Sequence, residues 1–454
     1  MSTQYLIIGS GAAGMAAAEA IRSHDAHGHI VILSEEPHGY YSRPSLAYLL
    51  TNEIPEQSVY PFDARDLARL GVRLLHAPVA QLVPAAHEII LVNGTRLPYD
   101  RLLLATGAQA ARLKAPGVDL QGVVKLDNLD DARQILRLAR HARTAVVVGG
   151  GITALEIVEG LRARQVEVHY LLRGDRYWSN VLDETESRIV EARLQAEGVH
   201  LHYRTELAAI LGDRGRVRAA LTTAGEQIRC GIVAAAVGVL PRTELASAAG
   251  LRTERGVVVN EHLQSSAPDI FAAGDVAQVT DTRTGRALLD TLWSTALAQG
   301  RLAGLNMAGL ASPYQRAASL NVTRLAGLTT TIIGAIGTGR REEDTIAIVR
   351  GDSESWRSTT DAVAAQTEFE VNRVRVMIGQ QTLVGALVMG DQTLSYPLQH
   401  LIAGQVDISP IRDHLLAPDA PLMDIIRGYW ESHRASAAKR PSVISRGSHD
   451  TTLA

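Results

Sequence analysis

The chain has 454 residues, of which 46% are hydrophobic and 20% charged, and its net charge is −3. That length exceeds one core and points to about two to four domains, while the balanced charge gives no sign of nucleic-acid binding or global disorder. A single cysteine, Cys230, excludes an intramolecular disulfide, a CxxC redox pair and a cysteine-ligated iron–sulfur cluster within this chain.

Residues 5–9 read as an apolar strand, followed by the turn GSGAAG and an alanine-rich helix over 12–22. The stretch 29–34 (HIVILS) is a second strand that ends at Glu35-Glu36, which completes a βαβ unit. Alternation over 73–92, with turn signals at Pro84 and Asn93-Gly94, predicts antiparallel strands. A buried strand follows and stops at Thr106-Gly107, and the turn-rich segment 112–127 reads as a domain crossing. An amphipathic helix (130–142) precedes a second βαβ unit: strand 145–148, a glycine turn, helix 152–164 and strand 166–172. A helix at 183–197, a hairpin region at 199–229 and a strand at 231–237 close this unit at Gly238. The strand 257–260 and the stretch APDIFAAGDVAQ lead into a long helix at 292–308. From 319 the pattern turns β-rich (329–336, 345–350, 367–378, 383–389), followed by a helix at 394–403. The polar segment from 432 predicts a disordered tail. No apolar run approaches the ~20 residues that span a bilayer and no signal peptide is seen, so a cytoplasmic location is expected.

A strand that turns directly into a helix gathers free N–H groups and the positive dipole end at one point, which suits a pyrophosphate. In the first turn Gly9 permits the tight bend, Gly11 clears the way for phosphate and Gly14 lets the helix pack on its strand, with Ala12 and Ala13 at the helix start. Glu35 is placed to accept from a ribose hydroxyl, and Glu36 competes for that role. The second turn, Gly149-Gly150-Gly151-Ile152-Thr153-Ala154, has the same context without the acid. Leu172 stands there instead, followed by Arg173 and Arg176, which lean the site towards NADPH unless they are plain loop residues. Two dinucleotide sites in one chain imply a tightly held electron carrier and an exchangeable donor.

The succession GSGAAG, SEEPHGYYSRPSL, LLLATGAQA, VVVGGGITALE, AAAVGVLPRTELA and FAAGDVAQ resembles the FAD-dependent pyridine nucleotide oxidoreductases with two dinucleotide-binding domains. Rubredoxin and ferredoxin reductases, and the flavin part of the NAD(P)H nitrite reductase large subunit, carry similar patterns. The resemblance implies an α/β fold with two Rossmann-like domains and a C-terminal α+β domain. FAD would occupy residues 1–111 with 240–318, NAD(P)H the inserted domain 112–239, and 319–431 would form an interface domain and a possible homo-oligomer contact, before the tail 432–454. It also implies that Gly274-Asp275 meet the FAD ribitol, Thr106-Gly107 the isoalloxazine and phosphates, Arg43 the flavin and Val79 the adenine, although Val79 is also readable as core. The helix start near Leu292–Thr295 would face the flavin pyrimidine, and Gly238 would lie at the hinge.

Glu156, on the helix after the second turn, is the candidate catalytic residue beside the nicotinamide. In relatives with RPPLSK a lysine partners this glutamate. That position is Tyr48 here, and the first 113 residues contain no lysine, which leaves Arg43 or the helix charge alone to face Glu156. Trp178 and Trp293 are readable either as the border of the site or as core. His24, Asp25, His27 and His29 read as a solvated loop before a metal site. With no cysteine beside the flavin and Cys230 in an apolar strand, reduced FAD would pass electrons directly to a small redox protein or a partner reductase subunit. The alternatives are a flavin-binding assembly subunit and a direct quinone-type reductase.

Overall fold

The computed structural model describes residues 2–281, 285–337, 350–351, 353–357, 362–368 and 372–438. In chain order the first half contains β1 (Gln4–Ile8), α1 (Ala12–His24), β2 (His29–Ser34), α2 (Ser45–Leu50), β3 (Val72–His76) and β4 (Arg101–Leu104). Then come β5 (Val123–Val124), α3 (Leu129–Ala139), β6 (Thr144–Val148), α4 (Ile152–Arg162), β7 (Glu167–Leu172), α5 (Glu184–Ala196), β8 (Val199–Tyr203) and β9 (Ile232–Ala235). The chain returns through β10 (Ile270–Ala272) and α6 (Trp293–Met307) to the β-rich end.

Two five-stranded parallel sheets result, ordered β10-β4-β1-β2-β3 and β8-β7-β6-β9-β5. Their central strands are near-continuous apolar runs because both faces are covered: in the inserted unit helices pack on one face, and Ile210, Val217, Ala220 and Ile228 of a three-stranded antiparallel sheet pack on the other. In each sheet the order reverses beside the strand that leads into a glycine turn, which opens a crevice at the carboxyl ends of the strands. The expected antiparallel region 73–92 is corrected in part. Its first strand, β3, joins the parallel sheet, and only Val79–Val83, Glu88–Leu91 and Arg96–Pro98 pair antiparallel. Helix α2, absent from the sequence reading, seats on α4, where a Cβ on Gly160 would lie 2.6 Å from Leu50 Cβ.

The C-terminal region is an antiparallel sheet of β11 (Leu320–Leu325), β12 (Leu328–Gly334), β13 (Val363–Glu368), β14 (Arg373–Ile378) and β15 (Leu383–Met389), ordered β11-β12-β15-β14-β13. It packs on α7 (Ser395–Ala403) and α8 (Leu422–Ala438). The β-rich stretch expected over 367–378 spans the end of β13 and all of β14, which pair antiparallel, and 345–349 lies outside the described residues. Helix α8 also corrects the tail boundary at 432. Leu422 and Ile426 anchor the helix in the core, Arg434 lies over the Trp430 ring at 5.4 Å, and the turn continues to Ala438. Residues 439–454 lie outside the described residues.

Buried ion pairs tie this sheet to the inserted unit. Arg375 is bidentate to Glu186 of α5 at 2.8 and 3.0 Å, and Arg373 reaches Asp183 at 2.7 Å. Both arginines and Glu186 are buried, and removing one partner leaves a charge stranded. Arg375→Ala is therefore expected to cost about 3 kcal/mol in denaturant unfolding, and Arg375→Leu combined with Glu186→Leu is expected to cost less than that single change.

Candidate functional site

The crevice of the first sheet opens into a cavity of about 760 Å³ that continues to α4 and to the C-terminal sheet. Its floor is the first glycine turn. Gly9 has a φ of +113°, and a Cβ there would lie 2.1 Å from the Ala105 carbonyl oxygen, so the turn is pressed onto the end of β4. A Cβ on Gly14 would lie 2.0 Å from the Gly9 oxygen, which makes Gly14 a packing residue outside the cavity. A Cβ on Gly11 would meet nothing within 4 Å, and Gly11 lines the cavity.

Three of the helices that start at this cavity leave their first N–H groups without a side-chain cap. α3 and α5 are capped by the side chains of Asn128 and Asp183, whereas α1, α4 and α6 begin at Gly11, Gly151 and Leu292 with no side-chain cap. Such ends leave N–H donors and dipole charge for a ligand. The starts of α1, α4 and α6 contribute Ala12 and Ala13, Ile152 and Thr153, and Trp293 and Ala296 to the cavity wall. The floor therefore fits a dinucleotide: a glycine turn that gives backbone access, next to uncapped donors.

Glu35, Glu36, Arg43, Val79, Thr106, Gly107, Gly274 and Asp275 all line the same space. Glu35 is exposed and pairs with Arg242 at 2.8 Å. Glu36 is committed to Arg43 at 2.6 Å and to the Tyr41 hydroxyl at 2.5 Å, so Glu35 is the more available of the two carboxylates. Burial pushes the Asp275 carboxyl above its usual range, with Arg350 and Arg43 opposing. Trp293 borders the cavity, while Trp178 is core and packs edge-on against Trp356 at 6.2 Å.

The glycines of the second turn do not line this cavity, which the turn reaches only through Ile152 and Thr153. Gly149 presses on the Ala236 carbonyl, Ala154 is fully buried, and Gly238 lies beside Thr153 and Arg350 at a small adjoining space. Arg173 is exposed at the end of β7, and Arg176 donates to the Ser179 carbonyl at 3.3 Å. The two turns meet through α4, which sends Glu156 and Glu159 into the main cavity. Burial lifts the Glu156 carboxyl to about 8, with Glu159 adding and Arg350 opposing. Burial likewise lifts Glu159 to about 7, opposed by Arg324 and the Gly327 N–H.

Arg43 is not the partner of Glu156, because its guanidinium is held by Glu36 and the Asp127 carbonyl. Positive charge arrives instead from the C-terminal region. Arg350 bonds the Asp127 carboxylate and the Ala108 carbonyl, and Arg324 lies over the Tyr48 ring at 5.4 Å while pairing with Glu53 at 2.6 Å. Burial alone would raise Asp127, but Arg350, Arg43 and Lys125 together hold it below the usual carboxylate range. Sequence reasoning missed Arg350, Arg324 and Asp127, since no local pattern links residues so distant in the chain. Cys230 is buried among Ile210, Val217 and Val233, and burial pushes its thiol up to about 12, which leaves it inert. Asp25 is satisfied by Tyr5 and by the His27 and Gly28 amides, so the 24–29 loop forms no metal cluster among the described residues. No helix among the described residues is long and apolar enough to cross a membrane.

Residues 3–300 match the model of the pyridine nucleotide-disulphide oxidoreductase family. The ferredoxin–NAD(+) reductase component of the biphenyl dioxygenase system of Paraburkholderia xenovorans (strain LB400) is 33% identical over 77% of this chain and 84% of its own. The assimilatory nitrate reductase electron transfer subunit of Bacillus subtilis (strain 168) is 26% identical over 92% of this chain and 52% of that protein. The crystal structure of the ferredoxin reductase for the CYP199A2 system from Rhodopseudomonas palustris shares the fold with a TM-score of 0.83, at 23% identity over 94% of this chain and all of that one. The glycine turns, the two parallel sheets and these matches agree: the chain belongs to the pyridine nucleotide-disulphide oxidoreductase family and is an oxidoreductase that uses FAD and NAD(P)H.

Proposed function

We propose that this chain carries electrons from NAD(P)H through FAD to a small redox protein or a partner reductase subunit, without a redox-active disulfide. The observation that carries the reading is the single cavity that joins the first glycine turn, Asp275 and Glu156. When bound there, FAD supplies the chemistry: it accepts a hydride's two electrons and gives them up to the acceptor. The residues of the chain bind and tune. The Gly11 turn holds pyrophosphate on the start of α1, Glu35 accepts from ribose, and the dipole of α6 favours negative charge at its start. Glu156, neutral near pH 7, offers a hydrogen-bond donor where the donor half of the site meets the flavin half. Arg173 at the end of β7 favours NADPH through its 2′-phosphate. Relatives named as ferredoxin and rubredoxin reductases support a small redox protein as the acceptor.

Anaerobic mixing with each nucleotide tests the reading. NADPH should bleach the flavin spectrum at lower concentration than NADH, and Arg173→Ala should remove that difference by weakening NADPH about tenfold. A flavin that neither nucleotide bleaches would leave a flavin-binding assembly subunit as the better account.

A further inference from the structure

The inserted sheet carries a cluster of titratable groups that neither nucleotide site uses. Alternate residues of a strand share one face, and the register sets His169 of β7 beside His200 of β8, the edge strand. Glu167, His169, His200 and His202 thus stand together on that face. Glu167 Oε1 lies 3.1 Å from His200 Nε2 and 3.8 Å from His169 Nε2. Thr144 Oγ1 donates to the other carboxylate oxygen at 3.3 Å, which turns Oε1 towards the imidazoles. The two rings stack at 4.7 Å, and one ligand atom from each of the three residues lies within 4.8 Å of the others. A tetrahedral zinc ion holds its ligand atoms about 3.4 Å apart, so small side-chain rotations suffice to close around it.

The surroundings fix the ring that such a site needs fixed. His169 Nδ1 lies 2.9 Å from His202 Nε2, and His202 Nδ1 faces Glu226 at 3.6 Å. This carboxylate–imidazole–imidazole chain leaves His169 Nε2 directed at Glu167, an arrangement that orients metal-binding histidines. The side chains of Glu167 and His200 are about half exposed, so an ion can enter from water. The cluster lies three residues, about 10 Å, back along β7 from Leu172 and hence away from the donor's ribose.

We propose that Glu167, His169 and His200 form a binding site for a divalent transition-metal ion of the zinc class, with a fourth position open to water, and that His202 and Glu226 are positioning residues. The ion would clamp the edge strand β8 to β7.

The test uses untagged full-length holoprotein, stripped with EDTA and desalted, and titrated with zinc chloride against a chromophoric chelator. One equivalent should bind at micromolar affinity or tighter and raise the unfolding temperature. The double variant His169→Ala with His200→Ala should weaken binding more than tenfold and abolish that rise, and Glu226→Gln should weaken it about tenfold. Flavin absorbance and the rate of bleaching by NADPH should stay unchanged in each variant. A parent protein that binds no equivalent below millimolar zinc, or a double variant that binds within tenfold of the parent, overturns the proposal. His200→Asn provides the same comparison if the double variant fails to fold.

Discussion

Alanine at position 300 is expected to cost the chain about 3 kcal/mol or more and most of its FAD. The new Cβ would lie 2.1 Å from the Ala13 carbonyl oxygen and 2.7 Å from the Ala13 Cα, both on the backbone of α1. Neither helix can yield by rotating a side chain, so α6 must move away from α1. Gln299 moves with it, and its Oε1 accepts the Gly274 N–H at 2.8 Å. The displacement therefore reaches Gly274-Asp275 at the cavity wall. Gly11→Ala provides the contrast. Its Cβ meets only open cavity, so apoprotein stability should change by no more than about 0.5 kcal/mol while FAD retention falls. Circular dichroism melts of both apoproteins, with flavin stoichiometry after gel filtration, separate the two effects.

The second large effect is expected at Glu156. Glu156→Gln should slow reduction of the flavin by NAD(P)H about tenfold and Glu156→Ala about a hundredfold, read in the anaerobic reductive half-reaction. Because burial lifts this carboxyl to about 8, the parent rate should decline above that pH as the donor proton is lost. The glutamine variant, which keeps a donor and cannot ionise, should show a flat profile there. Stability follows the same proton with a definite sign. Between the ordinary carboxylate pKa and about 8, the folded chain holds a proton that the unfolded chain has released, so its stability falls as pH rises through that window. Glu156→Gln removes this fall and should gain on the parent between pH 5 and 8, by an amount on the order of a few kcal/mol. Unchanged reduction rates in both variants would assign Glu156 a purely structural place.

The parts legible in the sequence are those built from short-range patterns. Both glycine turns announced themselves by a short apolar run, a cluster of glycines and then a helical pattern, and α1, α4, α5 and α6 lie within two residues of their expected bounds. Glu156 was legible because it lies on the helix that the second turn starts. Its electrostatic partner was not. Arg350 reaches the site from the C-terminal region 194 residues further along the chain, and Arg43 looked available only because its bond to the Asp127 carbonyl is equally non-local. Helix α2 escaped notice because SLAYLL is shorter than two turns and gains its place from contact with α4. The tail was misjudged at 432 because polar composition was weighed above the apolar anchors Leu422 and Ile426 earlier in the same helix.

The ion pairs of Arg373 and Arg375 with Asp183 and Glu186 also bear on how such a protein can diversify. A C-terminal sheet joined to the rest only by its linker could be exchanged between lineages by a single recombination event. Here a crossover anywhere between residues 186 and 373 that brings in an apolar residue at 375 strands Glu186, fully buried, without its bidentate counter-charge. The inserted unit and the C-terminal sheet are thus coupled in stability as a matched pair. New acceptors are open to this scaffold through changes on its outer surface more readily than through replacement of the sheet itself.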